Sequence, residues 1–244
     1  MDKPQGLTAR QTQILKSLID EYIESASAVG SEILEKKYNL GVSSATIRNE
    51  LASLTKAGYL KQPHTSAGRI PTPQAMKFYI DQLMEERHMS LADEVKAKED
   101  VWDVRDNIYN LIEEAVHSLA TRTNTLALGF IEDDERAWHA GYSNVFRSPE
   151  LSDLRVCAEL FTLIEETKRL RQILFENTEN VSDVRIVFGE ELGWKTSGPV
   201  GVSLIHINLK GKNAAIGVVG PARMSPTIVP VVRYFGNLIM EIAK

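Results

Sequence analysis

A chain of 244 residues with 43% apolar side chains is long enough for two ordinary domains, each with its own core. A formal net charge of −5 argues against a surface that coats nucleic acid or anionic membrane as a whole, and leaves room for a local basic patch. The single Cys157 can close no intramolecular disulfide, and the five histidines (His64, His88, His117, His139, His206) are too scattered for a metal cluster. Runs such as AAIGVVG fall well short of the ~20 apolar residues that span a bilayer, so the expectation is a cytoplasmic protein with no metal, cofactor or membrane partner.

From Thr8 to Ser25 the residues Ile14, Leu15, Leu18, Ile19, Tyr22 and Ile23 fall along one helical face, which predicts a first helix capped by Thr8. Ser31 is expected to cap a short second helix carrying Ile33, Leu34 and Tyr38, ended by Asn39-Leu-Gly41. A third follows Ser43, with Ile47, Leu51 and Leu54 turned inward and Gly58 placed for a left-handed C-terminal cap. Next come the extended pieces YLKQP and RIP around the tip HTSAG. A helix then opens with Thr72 as cap and Pro73 in the first turn.

The highly charged stretch EERHMSLADEVKAKED suggests a domain boundary. After it, the spacing of Val101, Val104, Ile108, Leu111, Ile112, Ala115 and Leu119 predicts one long helix from about Leu91 to Arg122. The remainder reads as a strand from Thr125 to Ile131, then a long helix opened by Ser148-Pro149 and running to about Glu176. Strands VRIVFG, VSLIHINLK and AAIGVVG follow, with a hairpin at LKGKN turned by Gly211, and a closing helix runs from about Pro226 to Lys244. The expected class is multidomain α+β: a winged helix-turn-helix over 1–85, a connecting helix over 86–123, and an α+β domain with an antiparallel sheet over 124–244.

Stepping 100° per residue from the inward face of the third helix puts Ala45, Asn49, Ala52 and Lys56 outward, with Arg48 on the shoulder. Asn and Arg can bond base edges bidentately in a major groove, and Ser43, Ser44 and Thr46 add donors at the positive helix N-terminus, suited to a phosphate. Taken alone the helix reads as an ordinary surface helix with a serine cap. Local charge shifts that balance. Between Ser43 and Phe78 the ionisable residues are Arg48, Lys56, Lys61, Arg69 and Lys77 against Glu50, a window of +4 in a chain of −5. Three helices followed by a two-stranded ribbon is the order of a winged helix, whose third helix enters the major groove. In that reading Thr65 and Ser66 offer hydroxyls at the wing tip, Gly68 permits a close backbone approach, and Arg69 meets a phosphate or a narrow minor groove.

These residues also carry a resemblance. The run SSATIRNELASLTKAGYLKQPHTSAGRIPT is similar to the N-terminal signature of the bacterial heat-inducible transcription repressors, HrcA, and LTARQTQILKSLIDEYIESASAVGS resembles their first helices. AAIGVVGPARMSPTIVPVVRYFGNLI resembles the family's IGVIGPxRM segment and closing helix, and AGYSNVFRSPELSDL its GGxSNLLxxPEF stretch. The resemblance implies a dimeric repressor of chaperone operons that binds a CIRCE-type inverted repeat in double-stranded DNA, is released on heat stress, and is modulated by the GroE chaperonin. It implies a GAF-like fold for the second domain, and DNA contacts at Ser43, Ser44, Thr46, Arg48, Asn49, His64, Thr65, Ser66 and Arg69. Family members carry an inserted dimerisation segment between the first GAF-like strand and the GGxSNLL stretch, whereas here GFIEDDERAWHAGYSNVF runs directly from one to the other. Self-association is then expected of the helix from about Leu91 to Arg122 or of the C-terminal domain.

An enzyme has little to stand on. No Gly-rich phosphate loop, GxSxG elbow or HExxH occurs, His117 and His206 fall within helix and strand patterns, and Glu165-Glu166 and Glu190-Glu191 read as solvated acids. Cys157 reads as core, as do Trp102, Trp138 and Trp194. The rival reading is a winged-helix one-component regulator whose GAF-like domain senses a small molecule.

Overall fold

The computed structural model describes residues 6–64, 66–148, 151, 153–175, 183–189, 191–192 and 200–243. Thr65, Pro149, Glu176, Glu190 and Trp194 lie outside them. The chain divides into two compact units, Met1–Met84 and Glu85–Lys244.

In the first unit α1 (Ala9–Ser25) begins in a full capping box, in which the Thr8 hydroxyl takes the Gln11 amide and the Gln11 side chain returns to the Thr8 amide. Helix α2 (Ser31–Lys37) corrects one expectation: Gly30, not Ser31, is its cap, and Ser31 is a buried first-turn residue. Ser43 caps α3 (Ser44–Lys56), and Gly58 (φ +85°) turns the chain into β1 (Leu60–Lys61). This strand pairs antiparallel with β2 (Ile70–Pro71), after which Thr72 caps α4 (Pro73–Gln82). Ile14, Leu15, Leu18, Leu34, Ile47, Leu54 and Met76 fill the core. That burial fixes the inward face of α3 and so its outward one.

Helices α1 and α2 are also joined by charge. The buried Glu21 carboxylate accepts from Lys37 Nζ at 2.8 Å and from the Tyr38 hydroxyl at 3.4 Å. Burial, then the negative charges of Glu21, Glu24 and Asp20, push the Tyr38 phenol up to about 12. An unfolded tyrosine titrates near pH 10. Between those values the folded chain holds the extra proton, so its stability falls as pH rises. The melting temperature of the first unit should drop between pH 10 and 12, and Tyr38→Phe should blunt the drop in a circular-dichroism series.

The second unit is built on an antiparallel sheet of order β4-β3-β7-β6-β5, formed by β3 (Leu126–Ile131), β4 (Ala137–Ala140), β5 (Arg185–Phe188), β6 (Val200–Leu209) and β7 (Lys212–Pro221). This is a GAF-like α+β arrangement. Lys210 (φ 51°) and Gly211 (φ 82°) form the two-residue hairpin between β6 and β7, both in the left-handed region that such a turn needs. Strand alternation divides two cores. Ile205, Ile207, Ile216 and Val218 face α6 (Ile108–Thr123) and α9 (Ser225–Ile242), while Leu128, Phe130, Val202 and Leu204 face α7 (Leu154–Glu165) and α8 (Thr167–Phe175). Gly129 lets α6 lie close to β3, since a Cβ there would stand 2.7 Å from methyls of Ile112 and Val116.

Two long helices expected from the sequence are each divided. The one from Leu91 to Arg122 is α5 (Leu91–Trp102) followed by α6, because Asn107 accepts the amides of Tyr109 and Asn110 and starts a new helix. Both pack into the second unit's core through Ala97, Val101, Leu111, Ala115 and Leu119. The other begins at Leu154 behind the Asp153 cap and breaks at Glu166 into α7 and α8. Strand β4 was not anticipated. Among the described residues no helix is long and apolar enough to cross a membrane.

Candidate nucleic-acid interface

The outward face of α3 follows from its buried one. With Ile47, Leu51 and Leu54 inside, Ala45, Arg48, Asn49, Ala52 and Lys56 are exposed. Arg48, Lys56 and Lys61 form no ion pair or side-chain hydrogen bond among the described residues, so their charges face solvent. Glu50, the acid of this basic window, is drawn the other way: Gln11 of α1 donates to it at 3.2 Å, and Arg10 stands 4.0 Å from it. The exposed face is left positive.

At the N-terminus of α3 the donors proposed for a phosphate are partly engaged within the protein. Ser43 Oγ accepts the Thr46 amide at 3.4 Å and lies 3.2 Å from the Thr46 hydroxyl. The Ser44 amide donates to Glu35 Oε1 at 2.9 Å, so a carboxylate from α2 already sits at this helix end. The hydroxyls stay at the surface, but the first amides are not free.

The wing is a three-stranded device rather than a simple ribbon. Leu60 pairs with Pro71 and Lys61 with Ile70, while Val29, between α1 and α2, exchanges two backbone bonds with Arg69 at 2.9 and 2.8 Å. Gly68 allows that contact. A Cβ there would stand 2.4 Å from the Val29 carbonyl carbon, so the close approach its glycine permits is to the chain's own backbone. At the tip the Ala67 amide reaches His64 O at 2.9 Å and Gln62 Nε2 donates to Ala67 O at 2.9 Å, with His64 and Ser66 exposed.

Arg69 is half-buried. Its Nε donates to Thr55 Oγ1 of α3 at 3.2 Å, its Nη1 contacts Ala67 O at 3.4 Å, and Thr55 in turn donates to Leu51 O at 2.7 Å. A groove of about 670 Å³, lined among others by Gly30, Ser31, Arg48, Gln62, Ser66 and Arg69, runs between α2, α3 and the wing. Of the residues singled out from the sequence, Arg48, Asn49, Lys56, His64 and Ser66 are exposed and Arg69 is half-buried, while Val29, Glu35, Gln62 and Thr55 join them from positions the sequence pattern does not mark. Val29 and Thr55 act through Arg69, far along the chain, whereas Glu35 and Gln62 reach Ser44 and Ala67 across short turns, and only Gly68 signals that a backbone must come close.

In the second unit, Cys157 is buried with its thiol pointed at Leu151 O, and burial pushes that thiol up. His206 Nε2 lies 2.9 Å from Leu174 O, and burial lowers its pKa. Both are packed residues. Among the described residues no group of three His, Cys, Asp or Glu is placed to hold a metal.

A winged helix joined to a GAF-like sheet has relatives. The family described as HrcA protein C terminal domain matches residues 73–225. The chain belongs to the HrcA family. A heat-inducible transcription repressor HrcA of Acetivibrio thermocellus is 31% identical over 206 residues, 82% of this chain and 56% of that protein. Its counterpart in Clostridioides difficile is 42% identical over 118 residues (48% and 35%), and that of Clostridium perfringens 52% over 85 residues (35% and 25%). The chain thus spans about half the length of the first of these HrcA relatives and less of the others. A crystal structure described as that of a hypothetical protein has a TM-score of 0.72, covering 97% of this chain and 98% of that one at 18% identity, a likeness of fold.

Proposed function

We propose that this chain is a DNA-binding transcriptional repressor of heat-shock operons, gripping an inverted repeat as a homodimer in the cytoplasm. The observation that carries the DNA reading is the exposed face of α3, where Arg48, Asn49 and Lys56 stand beside two alanines while Glu50 is held away by α1. In this reading α3 enters the major groove, Arg48 and Asn49 address base edges, and Ala45 and Ala52 let the helix approach closely. Lys56, Lys61, the hydroxyls of Ser43, Ser44 and Thr46, and the wing tip from His64 through Thr65 to Ser66 meet the backbone. Heat release and modulation by the GroE chaperonin are inherited from the family resemblance.

Salt dependence tests this directly. Release of counter-ions by the two backbone cations Lys56 and Lys61 gives a slope of log affinity against log salt of about −1.8 per protomer, which is a loss of about tenfold between 50 and 200 mM. Affinity indifferent to salt and to sequence, in titrations of duplexes selected by the full chain from random DNA, overturns the reading.

For the homodimer, α5 supplies the surface. Leu91, Val95 and Trp102, the last expected in the core, are 80%, 59% and 43% exposed, spaced with Lys98 along one stripe that lies beside the buried face of Ala97 and Val101. An antiparallel pair of α5 helices sets Leu91 against the partner's Trp102 and Lys98 beside the partner's Glu94, so stripe and charge are self-complementary. Val95→Glu should shift sedimentation from dimer to monomer. A dimer that survives this change places the interface elsewhere.

A further inference from the structure

We propose that Arg69 and Thr55 form a latch that fixes the wing against α3, and that Arg69 serves DNA binding through this latch rather than by touching a phosphate. The inference rests on the DNA-binding reading above and adds a positioning pair to it. Arg69 bears two independent ties to the rest of the unit. Its backbone exchanges both bonds with Val29, and its guanidinium runs through Thr55 Oγ1 to the Leu51 carbonyl in the last turns of α3. A second arm of the same guanidinium holds Ala67 O, which also accepts from Gln62, so tip, wing stem and helix share one network. Lys56, one residue beyond Thr55, keeps its charge in solvent.

The geometry explains the residue types. A planar guanidinium offers several donors in a fixed fork and can bond a helix hydroxyl and a turn carbonyl together, which a lysine ammonium does less well. Thr55 receives the Arg69 donor while giving its own proton to Leu51, so its single hydroxyl is used in both directions. A two-residue ribbon is too short to hold its own angle. The stem of the wing is held by Thr72 on the Gly58 and Tyr59 carbonyls, and the angle of its tip-side strand to α3 is held by Val29, Gly68 and this latch.

A positioning residue and a phosphate contact differ in two readouts. Arg69→Ala and Thr55→Val should each weaken binding to a selected duplex by about tenfold, the worth of one charge-assisted hydrogen bond, and should leave the salt slope at its wild-type value. Thr55→Ser, which keeps the hydroxyl, should restore binding. In the DNA-free full chain both weakened variants should speed amide exchange at Val29 and Arg69. The latch is overturned if Arg69→Ala lowers the slope by about 0.9 while Thr55→Val binds and exchanges like wild type. If the unmodified chain bound no duplex, the DNA reading would fail by itself, and the exchange measurement would still decide the latch.

Discussion

Replacing Arg48 by alanine is expected to cost the chain its choice of operator. Arg48 sits on the exposed shoulder of α3, one residue past the buried Ile47, with no protein partner among the described residues. Its guanidinium is therefore neither held by an acid nor packed away, and the helix needs it for nothing structural. A bidentate arginine contact to a guanine edge is worth about 1–3 kcal/mol of discrimination, so Arg48→Ala should weaken the selected duplex about 5- to 150-fold while binding to unrelated duplex falls far less. Because the side chain is exposed, the melting temperature should not move. Equal losses on selected and unrelated DNA would make Arg48 a backbone contact and return base reading to Asn49.

The contrast between Arg48 and Arg69 shows what periodicity can and cannot reveal. Arg48 was legible because the positions of Ile47, Leu51 and Leu54 fix every direction around α3. Arg69 was legible only as a charge near a turn, since its partner Thr55 lies 14 residues away and its backbone partner Val29 lies beyond two helices. The same limit accounts for Glu35 at the start of α3. Local signals carried the caps at Thr8, Ser43 and Thr72 and the turns at Gly58 and Gly211, because these are contacts between near neighbours.

In the second unit, the two core faces follow from alternation along β6 and β7. The break between α5 and α6 does not, because Val104 and Ile108 continue the apolar spacing across it and pack against the same core as partly buried residues. Only Asn107 marks it, and an asparagine within a charged stretch is a weak sign. Strand β4 is a four-residue edge strand whose first three residues are only half-buried, so AWHA shows no clean alternation. The sheet also bears on the small-molecule alternative. Among the described residues its two faces are packed by Ile205, Val218 and Phe235 on one side and Leu128, Phe130 and Val202 on the other, so a small molecule bound against these residues would have to displace core side chains.

Phe235→Ala should have the largest effect on stability, and it tests whether the two units are separate. Phe235 is 0% exposed on α9, within the core that α5, α6 and α9 share with the sheet. Its neighbour Gly236 holds α9 tight to β6, since a Cβ there would stand 2.6 Å from Ile205 Cγ2. With the helix held that close by the glycine contact, the structure can collapse only partly into the space the ring leaves, and a buried Phe→Ala change of this kind costs about 3–5 kcal/mol. The first unit has its own core in Leu15, Leu18, Ile47 and Leu54. Calorimetry should therefore resolve two transitions, with the variant lowering one and leaving the other in place. Between them, the chain should still bind a single half-site through α3 and the wing, while cooperative binding to the inverted repeat is lost because α5 is anchored in the core that has melted. A single transition moving as a whole would show instead that the two units fold as one.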